Sequence, residues 1–288
     1  MPDVQARPLE NSFRLTRVGV RGVVKPVQVK RPRRAVTLTA TFDVSVDLPA
    51  NQRGSHLSRN LEAIGEVVDD SVREPVESLE ALAGQIAGSL LDRHAYANEA
   101  SVDIVADYFL EKFTPMGRSS LERFKLLAAA TADRAATPRV RRTIGVEVIG
   151  MTACPCAMET IREESPELVD PKLPTITHNQ RNITRLSLQE PDGHDIEADD
   201  LVEIVEASMS APTFEILKRP DEGRVVRLAH ENPRFVEDVV RQVLAHVLKR
   251  YVALPDTATV TVRSESEESI HKHNAFAERV TTLGELRA

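Results

Sequence analysis

Apolar and polar side chains alternate along several stretches of the chain, and this pattern predicts half-buried β-strands. The clearest stretch runs from Val36 to Val46, where every second residue is apolar. An earlier stretch, from Phe13 to Val29, contains Gly19 and Gly22 and predicts a strand with a bend. Further strands are predicted over residues 102–110, 144–148, 183–188 and 258–262, whereas residues 121–130 fit either a strand or a helix.

A period of three to four residues marks the predicted helices, which cover residues 74–96, 198–209 and 233–251. In the last of these, Asn232 is expected to cap the helix and Pro233 to occupy its first turn. Glu237 would then lie one turn into the helix. Helices placed between pairs of strands favour an α+β fold with antiparallel sheets over a parallel doubly wound sheet.

The two halves of the chain show approximately the same order of elements: strand, strand, helix, helix, strand, strand. This order indicates an internal structural repeat without obvious sequence identity. A segment of small and polar residues, ADRAATP at 132–138, is the predicted boundary. We therefore expect two domains, residues 1–135 and 136–288, in agreement with about 150 residues per domain.

Composition and charge exclude several classes of protein. The chain has 288 residues, of which 41% are hydrophobic and 28% charged, as in ordinary globular proteins. Its 2 cysteines cannot form a disulfide framework. With 37 basic and 44 acidic residues the net charge is −7, which argues against general binding of nucleic acid.

The sequence shows neither the features of a targeting segment nor a known phosphate-binding loop motif. No apolar run approaches the roughly 20 residues that span a bilayer, and the start, MPDVQARPLENSF, lacks the features of a signal peptide. We therefore expect a cytoplasmic protein with reduced thiols and no membrane partner. Neither G-x-G-x-x-G nor G-x-x-x-x-G-K-[ST] is found, so the usual phosphate-binding loops are not expected.

The most unusual local motif is GMTACPC, which contains Cys154 and Cys156 directly after a predicted strand. A C-x-C pair is too close for a relaxed disulfide. Two thiols alone are a weak indication of a metal, because a structural zinc site takes four ligands. Taken alone, the pair is better explained as two small buried apolar residues than as a metal site.

Histidines form the next group of candidates. His178 lies in THNQRN at the start of a predicted strand, and by itself fits a hydrogen-bonded loop residue. His271 and His273 follow the last predicted strand and would share one face if that segment is extended. Neutral imidazoles are common metal ligands, so this pair indicates either a metal site or a solvated polar edge. Glu268 precedes His271 by three residues.

Acidic and basic clusters complete the candidates. Glu222 lies in LKRPDE, a predicted loop containing Pro220, and Glu237 lies in ENPRFVED; either fits an exposed carboxylate as well as a site. The segment GSHLSRN suits an oligophosphate or a plain helix start. The basic clusters KRPRR at 30–34 and RVRR at 139–142 fit solvated loops or steering of an anionic small molecule.

Six of these segments, taken together and in this order, resemble the GTP cyclohydrolases of type IB, and in particular the archaeal branch of that family. The segments are GSHLSRN, GMTACPC, THNQR, LKRPDE, ENPRFVED and ESIHKHNAF, which span residues 54–276. The resemblance implies two tandem tunnelling-fold (T-fold) modules, each an antiparallel sheet with a pair of helices. It also implies a homo-oligomer, a dimer or a tetramer, with active sites between subunits.

The resemblance implies roles for individual residues. Cys154 and His178 would be catalytic and would bind a metal, together with Glu222 and His271. Glu237 would accept hydrogen bonds from N1 and the 2-amino group of guanine, as a carboxylate can do in a bidentate pair. His56, Ser58 and Arg59 would lie towards the triphosphate, and Cys156, Glu268 and His273 would support the site.

The resemblance also implies the reaction. In the archaeal branch an Fe(II) enzyme converts GTP and water to 7,8-dihydroneopterin 2′,3′-cyclic phosphate, formate and diphosphate, the first step of pterin biosynthesis for methanopterin or folate. The long segment between Cys154 and His178 favours this branch. Bacterial members instead yield 7,8-dihydroneopterin triphosphate and can use Mn or Zn. A non-catalytic T-fold protein that binds purines or pterins, with a structural metal, is a further alternative.

Overall fold

The computed structural model describes Gln5 and residues 11–30, 35–135, 139–191 and 194–288. The chain forms two compact units. Unit 1 contains Met1–Asp107, Leu126–Ile144 and Gln189–Pro191, and unit 2 contains Tyr108–Lys125, Gly145–Leu188 and Asp192–Ala288. Each unit therefore draws on several separate parts of the sequence.

The predicted division into residues 1–135 and 136–288 stays a prediction. The end of its boundary segment, residues 136–138, and most of the basic cluster KRPRR, residues 31–34, lie outside the described residues. The chain passes between the units inside four long strands, so no single position in the sequence separates the two units.

Unit 1 is built on an antiparallel pair, β1 (Leu15–Val29) and β2 (Val36–Leu48), with β3 (Glu99–Phe113) antiparallel to β2. The bend predicted in β1 is confirmed by a register shift between Val20 and Val23. Gly22, with φ of 72°, lies within this shift and adopts the left-handed conformation that only glycine accepts without strain.

Helices α1 (Leu57–Arg73) and α2 (Leu79–Arg93) follow β2 and pack on the strands of unit 1. Alternate residues of β2 form the buried face that was predicted from the sequence. These residues are Leu38, Ala40, Phe42, Val44 and Val46. The helical start that GSHLSRN allowed is present, because α1 begins at Leu57 within that segment.

Unit 2 contains the remaining elements and parts of the long strands β4 (Ser119–Asp133) and β5 (Arg139–Ala153). Residues 121–130, ambiguous in the sequence, are therefore strand. The further elements are α3 (Pro155–Glu164), a 3-10 helix (Pro166–Leu168), β6 (Asn179–Glu190), α4 (Ala198–Ser208), β7 (Ala211–Pro212), α5 (Arg219–Glu231), α6 (Val236–Arg250), β8 (Thr259–Glu267), β9 (Ala275–Thr282) and α7 (Leu283–Arg287).

The strands are hydrogen-bonded in the order β1-β2-β3-β4-β5-β6-β8-β9, and β7 pairs with β5 outside this path. The pairs β6–β8 and β8–β9 are antiparallel, as predicted for an α+β fold. Helices α4 and α6 pack on each other, and α6 packs on β8 and β9. No helix in the described ranges combines the length and the apolar composition needed to span a bilayer.

Three local expectations were wrong. The helix predicted from residue 74 begins only at Leu79, where Ser78 caps α2. The segment LKRPDE is not a loop: Arg219, Pro220 and Glu222 form the first turn of α5, where a proline costs no hydrogen bond. The last long helix does not begin at Pro233, because Asn232 ends α5 with its N–H bonded to the Leu228 carbonyl. Phe235 is instead the N-cap of α6, so Glu237 lies in the first turn of that helix.

A polar cluster is buried between β6 and β8. The Asn182 side-chain amide donates to the hydroxyls of Ser264 at 2.9 Å and Ser266 at 3.1 Å, and the Thr184 hydroxyl donates to Asn182 Oδ1 at 2.7 Å. All four residues are at most 1% exposed. Because buried polar groups are costly unless they are paired, this cluster fixes the register of the two strands.

Candidate active site

Cys154 lies at the end of β5 and caps helix α3. Its Sγ accepts a hydrogen bond from the Ala157 N–H at 3.5 Å, and Pro155 occupies the first position of the helix. The thiol therefore faces the free N–H groups and the partial positive charge of a helix N-terminus. Cys156 is the second residue of the same helix and is exposed, and both cysteines are free thiols.

His178 lies directly before β6 and is held beside Cys154 by the backbone. The Cys154 N–H donates to the His178 carbonyl at 3.0 Å, and the Thr177 hydroxyl donates to the Cys154 carbonyl at 2.7 Å. The 23 residues that separate Cys154 and His178 in sequence fold away as α3, the 3-10 helix and a coil. The structure thus brings together two of the four predicted metal ligands.

The His178 imidazole is oriented by the segment that follows β8. Its Nδ1 lies 3.2 Å from the Ser269 hydroxyl and 4.0 Å from Glu268 Oε2. Glu268 Oε1 in turn accepts a hydrogen bond from the Gln180 side chain at 3.4 Å. Since Nδ1 faces these two partners, Nε2 is the ring nitrogen that could bind a metal, with Glu268 close to the other nitrogen.

His271 and His273 lie in the bend that follows Ser269. The segment is not extended, so the expected sharing of one strand face does not apply. Their rings nevertheless stack, with centroids 5.3 Å apart and planes at 17°. Both side chains are exposed, two and four residues from the serine that contacts His178.

Glu222 does not join this group within one chain. It is exposed in the first turn of α5, whose neighbouring Asp221 accepts a hydrogen bond from the Met116 N–H at 3.0 Å. His230, in the last turn of the same helix, contacts the Thr177 carbonyl at 3.1 Å. Eight residues of helix rise about 12 Å. Within the described ranges, no three His, Cys, Asp or Glu side chains are placed to hold a metal ion together.

Glu237 lies near the end of β5, although it is distant from Cys154 in sequence. The N–H of Arg234 donates to the Ala153 carbonyl at 2.9 Å, which joins the segment before α6 to the residue preceding Cys154. Glu237, the second residue of α6, is exposed. An exposed carboxylate in the first turn of a helix can accept two parallel N–H bonds from a ligand.

His56, Ser58 and Arg59 belong to unit 1, at the start of α1. His56 is the N-cap of this helix, and the Arg59 guanidinium donates to the Arg93 carbonyl at 3.0 Å. The three side chains therefore lie within one turn, which is compatible with a shared anionic ligand.

Three further residues contact this site and were not predicted from the sequence: Gln180, Ser269 and His230. The first two lie inside the segments THNQR and ESIHKHNAF, and His230 directly precedes ENPRFVED. In the sequence, their positions next to candidate residues were the signal by which they could have been found.

The arrangement of strands and helices is that of the tunnelling fold. The chain superposes on uricase from Arthrobacter globiformis with a TM-score of 0.57, over 93% of each chain, at 6% sequence identity. It superposes on urate oxidase from Bacillus sp. TB-90 with a TM-score of 0.51, covering 93% of this chain and 100% of that chain, at 11% identity. At such low identities these likenesses show the fold alone.

The sequence shows the family. The model of the type I GTP cyclohydrolase folE2 family matches residues 1–277, so the chain belongs to that family. It is 44% identical to "GTP cyclohydrolase MptA 2" of Methanocella arvoryzae, covering 100% of this chain and 98% of that protein. It is 43% identical to "GTP cyclohydrolase MptA" of Methanosarcina mazei and 44% identical to that of Methanothermobacter thermautotrophicus, covering 96% and 95% of those proteins and 100% and 99% of this chain.

Proposed function

We propose that the protein converts GTP and water to 7,8-dihydroneopterin 2′,3′-cyclic phosphate, formate and diphosphate. Membership in the cyclohydrolase family and the MptA names of its relatives support this reaction. The observation that carries the proposal is the backbone hydrogen bond between Cys154 and His178, because it joins two candidate ligands from distant segments of the sequence. The reaction would be the first step of pterin biosynthesis, for methanopterin or folate, in the cytoplasm.

The donor atoms at this point fit a divalent transition metal. Thiolate and imidazole are ligands that Fe(II) and Zn(II) accept, and an outer carboxylate such as Glu268 orients a ligating histidine. We propose that Cys154, His178, Glu222 and His271 hold the metal, with Fe(II) as the physiological ion and Mn(II) or Zn(II) as alternatives. When bound, such a metal supplies the acidity that makes water a nucleophile for C8 of guanine at neutral pH.

Other residues of the chain bind the substrate and hold the metal ligands in place. Glu237 binds the N1 and 2-amino edge of guanine, and this bidentate contact orients C8 for attack. Ser269 and Glu268 keep the His178 ring in place, while Cys156 and His273 support the surroundings of the site. His56, Ser58 and Arg59 bind the triphosphate, whose charge a guanidinium neutralises.

A second copy of the chain completes the site in this proposal. Glu222 is exposed at the end of α5 that lies away from His230 and Thr177, so it is available to another subunit. A homo-oligomer, a dimer or a tetramer, would bring the Glu222 of one copy to the Cys154 of another. Closed symmetric assemblies repeat such a contact identically in every subunit.

The experiment that tests the proposal removes and restores the metal. Protein stripped with a chelator under anaerobic conditions is titrated with Fe(II), Mn(II) or Zn(II), and formate release from GTP is measured. We expect no formate from the stripped protein and recovery with at least one metal, Fe(II) being the most effective. Formate release that is unaffected by stripping would disprove the metal-dependent mechanism.

The same assay separates the alternatives. A product that retains all three phosphates would assign the protein to triphosphate chemistry, whereas diphosphate release supports the cyclic phosphate. Binding of GTP without formate in the presence of every metal would indicate a purine- or pterin-binding protein instead of an enzyme.

A further inference from the structure

A short segment between α2 and β3 holds the stretch that contains His56, Ser58 and Arg59. This holding segment consists of Arg93, the last residue of α2, and the following His94, Ala95 and Tyr96. The Tyr96 hydroxyl contacts the Ser55 hydroxyl at 3.0 Å and accepts a hydrogen bond from the His56 N–H at 3.3 Å. The Arg93 carbonyl accepts the hydrogen bond from Arg59, as described above.

His94 lies at the centre of this network. It is fully buried, with 0% exposure, and both of its ring nitrogens have partners. Nε2 lies 2.7 Å from Asn60 Oδ1, and Nδ1 lies 2.8 Å from the Tyr96 hydroxyl. Asn60, on the first turns of α1, is itself fully buried.

The partners of His94 define the direction of every hydrogen bond in the network. Asn60 Oδ1 can only accept, so His94 Nε2 carries the proton and Nδ1 accepts from the Tyr96 hydroxyl. Because Tyr96 has only one proton, its oxygen must accept from Ser55 and from the His56 N–H. With this tautomer the chain from Ser55 through Tyr96 and His94 to Asn60 donates in one direction, and the Asn60 side-chain nitrogen is left without a hydrogen-bond partner in the described ranges.

This order requires a neutral His94, and its surroundings keep it neutral. Burial, and to a smaller extent the nearby Arg59, His56 and Arg93, together lower the pKa of His94 to about 4. The same cationic groups that disfavour a proton on His94 would attract a polyphosphate. Arg93 is already paired with Glu62 and Glu66, whereas in the described ranges Arg59 donates to the Arg93 carbonyl and has no carboxylate partner.

We propose that Tyr96 and His94 are positioning residues that hold Ser55–Asn60 in the conformation that binds the triphosphate of GTP. This inference rests on the proposed function, since it assumes that His56, Ser58 and Arg59 contact the phosphates. Neither Tyr96 nor His94 touches the substrate. They act by fixing the backbone at His56 and the first turn of α1, so that the phosphate-binding side chains are preorganised.

The test compares the variant Tyr96→Phe with Tyr251→Phe. Tyr251 is a matched control, because it lies in unit 2 and its buried hydroxyl has no hydrogen-bond partner in the described ranges. The equilibrium dissociation constants of GTP and guanosine are measured by calorimetry with metal-free protein. We expect Tyr96→Phe to weaken GTP binding about tenfold, because the stretch that binds the phosphates loses its hydrogen bonds to the Tyr96 hydroxyl, and to leave guanosine binding unchanged. We expect Tyr251→Phe to change neither constant.

Further measurements distinguish positioning from general stability. In the steady state we expect Tyr96→Phe to raise KM for GTP with kcat nearly unchanged. On an Arg59→Ala background Tyr96→Phe should have little additional effect, because both changes remove the same phosphate contact. Ser55→Ala, which removes only one donor to Tyr96, serves as a milder variant if Tyr96→Phe does not fold.

The outcomes separate this inference from the proposed function. The inference is overturned if Tyr96→Phe weakens the binding of GTP and of guanosine equally. It is also overturned if neither Tyr96→Phe nor Ser55→Ala weakens GTP binding. In both cases the protein could still be a cyclohydrolase. Wild-type protein that neither binds GTP nor releases formate would instead overturn the proposed function.

Discussion

At the scale of single residues, the two cysteines of the C-x-C motif have different environments. Cys154 caps α3 and lies beside His178, whereas Cys156 is exposed on the helix that follows. The sequence could not distinguish them, because their spacing does not show which cysteine lies beside His178 at the start of β6. Only the resemblance to the family assigned the metal to Cys154.

The difference between the two thiols gives the first prediction. We expect Cys154→Ser to lose bound metal and activity, because a serine hydroxyl is a much poorer ligand than a thiolate. We expect Cys156→Ser to retain both. Metal content is measured by elemental analysis after gel filtration in Fe(II), with circular dichroism as the check of folding. Equal metal loss in the two variants would contradict the assignment.

A second prediction concerns the carboxylate of Glu237. Glu237→Gln removes the charge that accepts N–H groups from guanine, so we expect GTP to bind about 10- to 100-fold more weakly. Inosine triphosphate lacks the 2-amino group and provides the internal control. The wild type should prefer GTP over inosine triphosphate, and the variant should show a smaller preference. An unchanged ratio of the two kcat/KM values would place the guanine edge elsewhere.

At the scale of elements, alternation and helical period predicted β2, β3, α2 and α4 well, because each buries a regular apolar face. The start of α6 was misplaced, since Asn-Pro resembles a helix start and here follows the end of α5. Helix α3 and strand β9 were not predicted. Helix α3 buries only Met158, and β9 buries one residue, so neither has a strong periodic signal.

The buried His94 leads to a prediction about how the stability of the protein depends on pH. Its pKa is lowered to about 4 in the folded protein, from 6.5, so the unfolded chain binds a proton first as the pH falls. Above about pH 6.5, His94 does not change the free energy of unfolding. As the pH falls from 6.5 to 4, His94 lowers this free energy progressively. The integrated loss is about 3 kcal/mol, at 1.36 kcal/mol per unit of pKa.

Urea denaturation of the wild type and of His94→Gln at several pH values measures this effect. We expect His94→Gln to be less stable at pH 7, because the ordered network loses a partner, and to show a flatter stability curve between pH 6.5 and 4. Parallel curves for the two proteins would show that His94 is not the titrating group.

The buried cluster around Asn182 leads to a second prediction at this scale. Asn182→Ala leaves hydroxyls of β6 and β8 without partners and opens a small cavity, so we expect a loss of about 2–4 kcal/mol in the free energy of unfolding. Arg181→Ala, one residue earlier and exposed, should change it by less than about 0.5 kcal/mol. If both variants change the free energy of unfolding by similar amounts, the cluster does not fix the register of β6 and β8.

At the scale of the whole molecule, the sequence motifs gave the family and the order of the site residues but not their assembly. Cys154 and His178 meet within one chain, while Glu222 lies at the opposite end of α5 from the contact with Thr177. A spacing along the sequence does not show whether two residues meet in one copy or between copies. The proposal of a shared site comes from the resemblance to the family, and the exposed position of Glu222 supports it.

Complementation between inactive variants tests the shared site. Cys154→Ser and Glu222→Gln are each expected to be inactive as homo-oligomers. If the site takes Cys154 from one copy and Glu222 from another, random co-assembly restores about a quarter of wild-type activity, because one site in four receives both intact residues. Co-expressed, doubly tagged oligomers that stay inactive would show that each chain builds its own site.

The most direct test of the central claim is the fate of C8 of GTP. Metal-loaded protein is incubated anaerobically with GTP labelled at C8, and formate and the pterin product are quantified by mass spectrometry. We expect one labelled formate and one diphosphate for each 7,8-dihydroneopterin 2′,3′-cyclic phosphate, and none of these from Cys154→Ser. Label that remains in an intact purine after prolonged incubation of the wild-type protein would contradict this expectation.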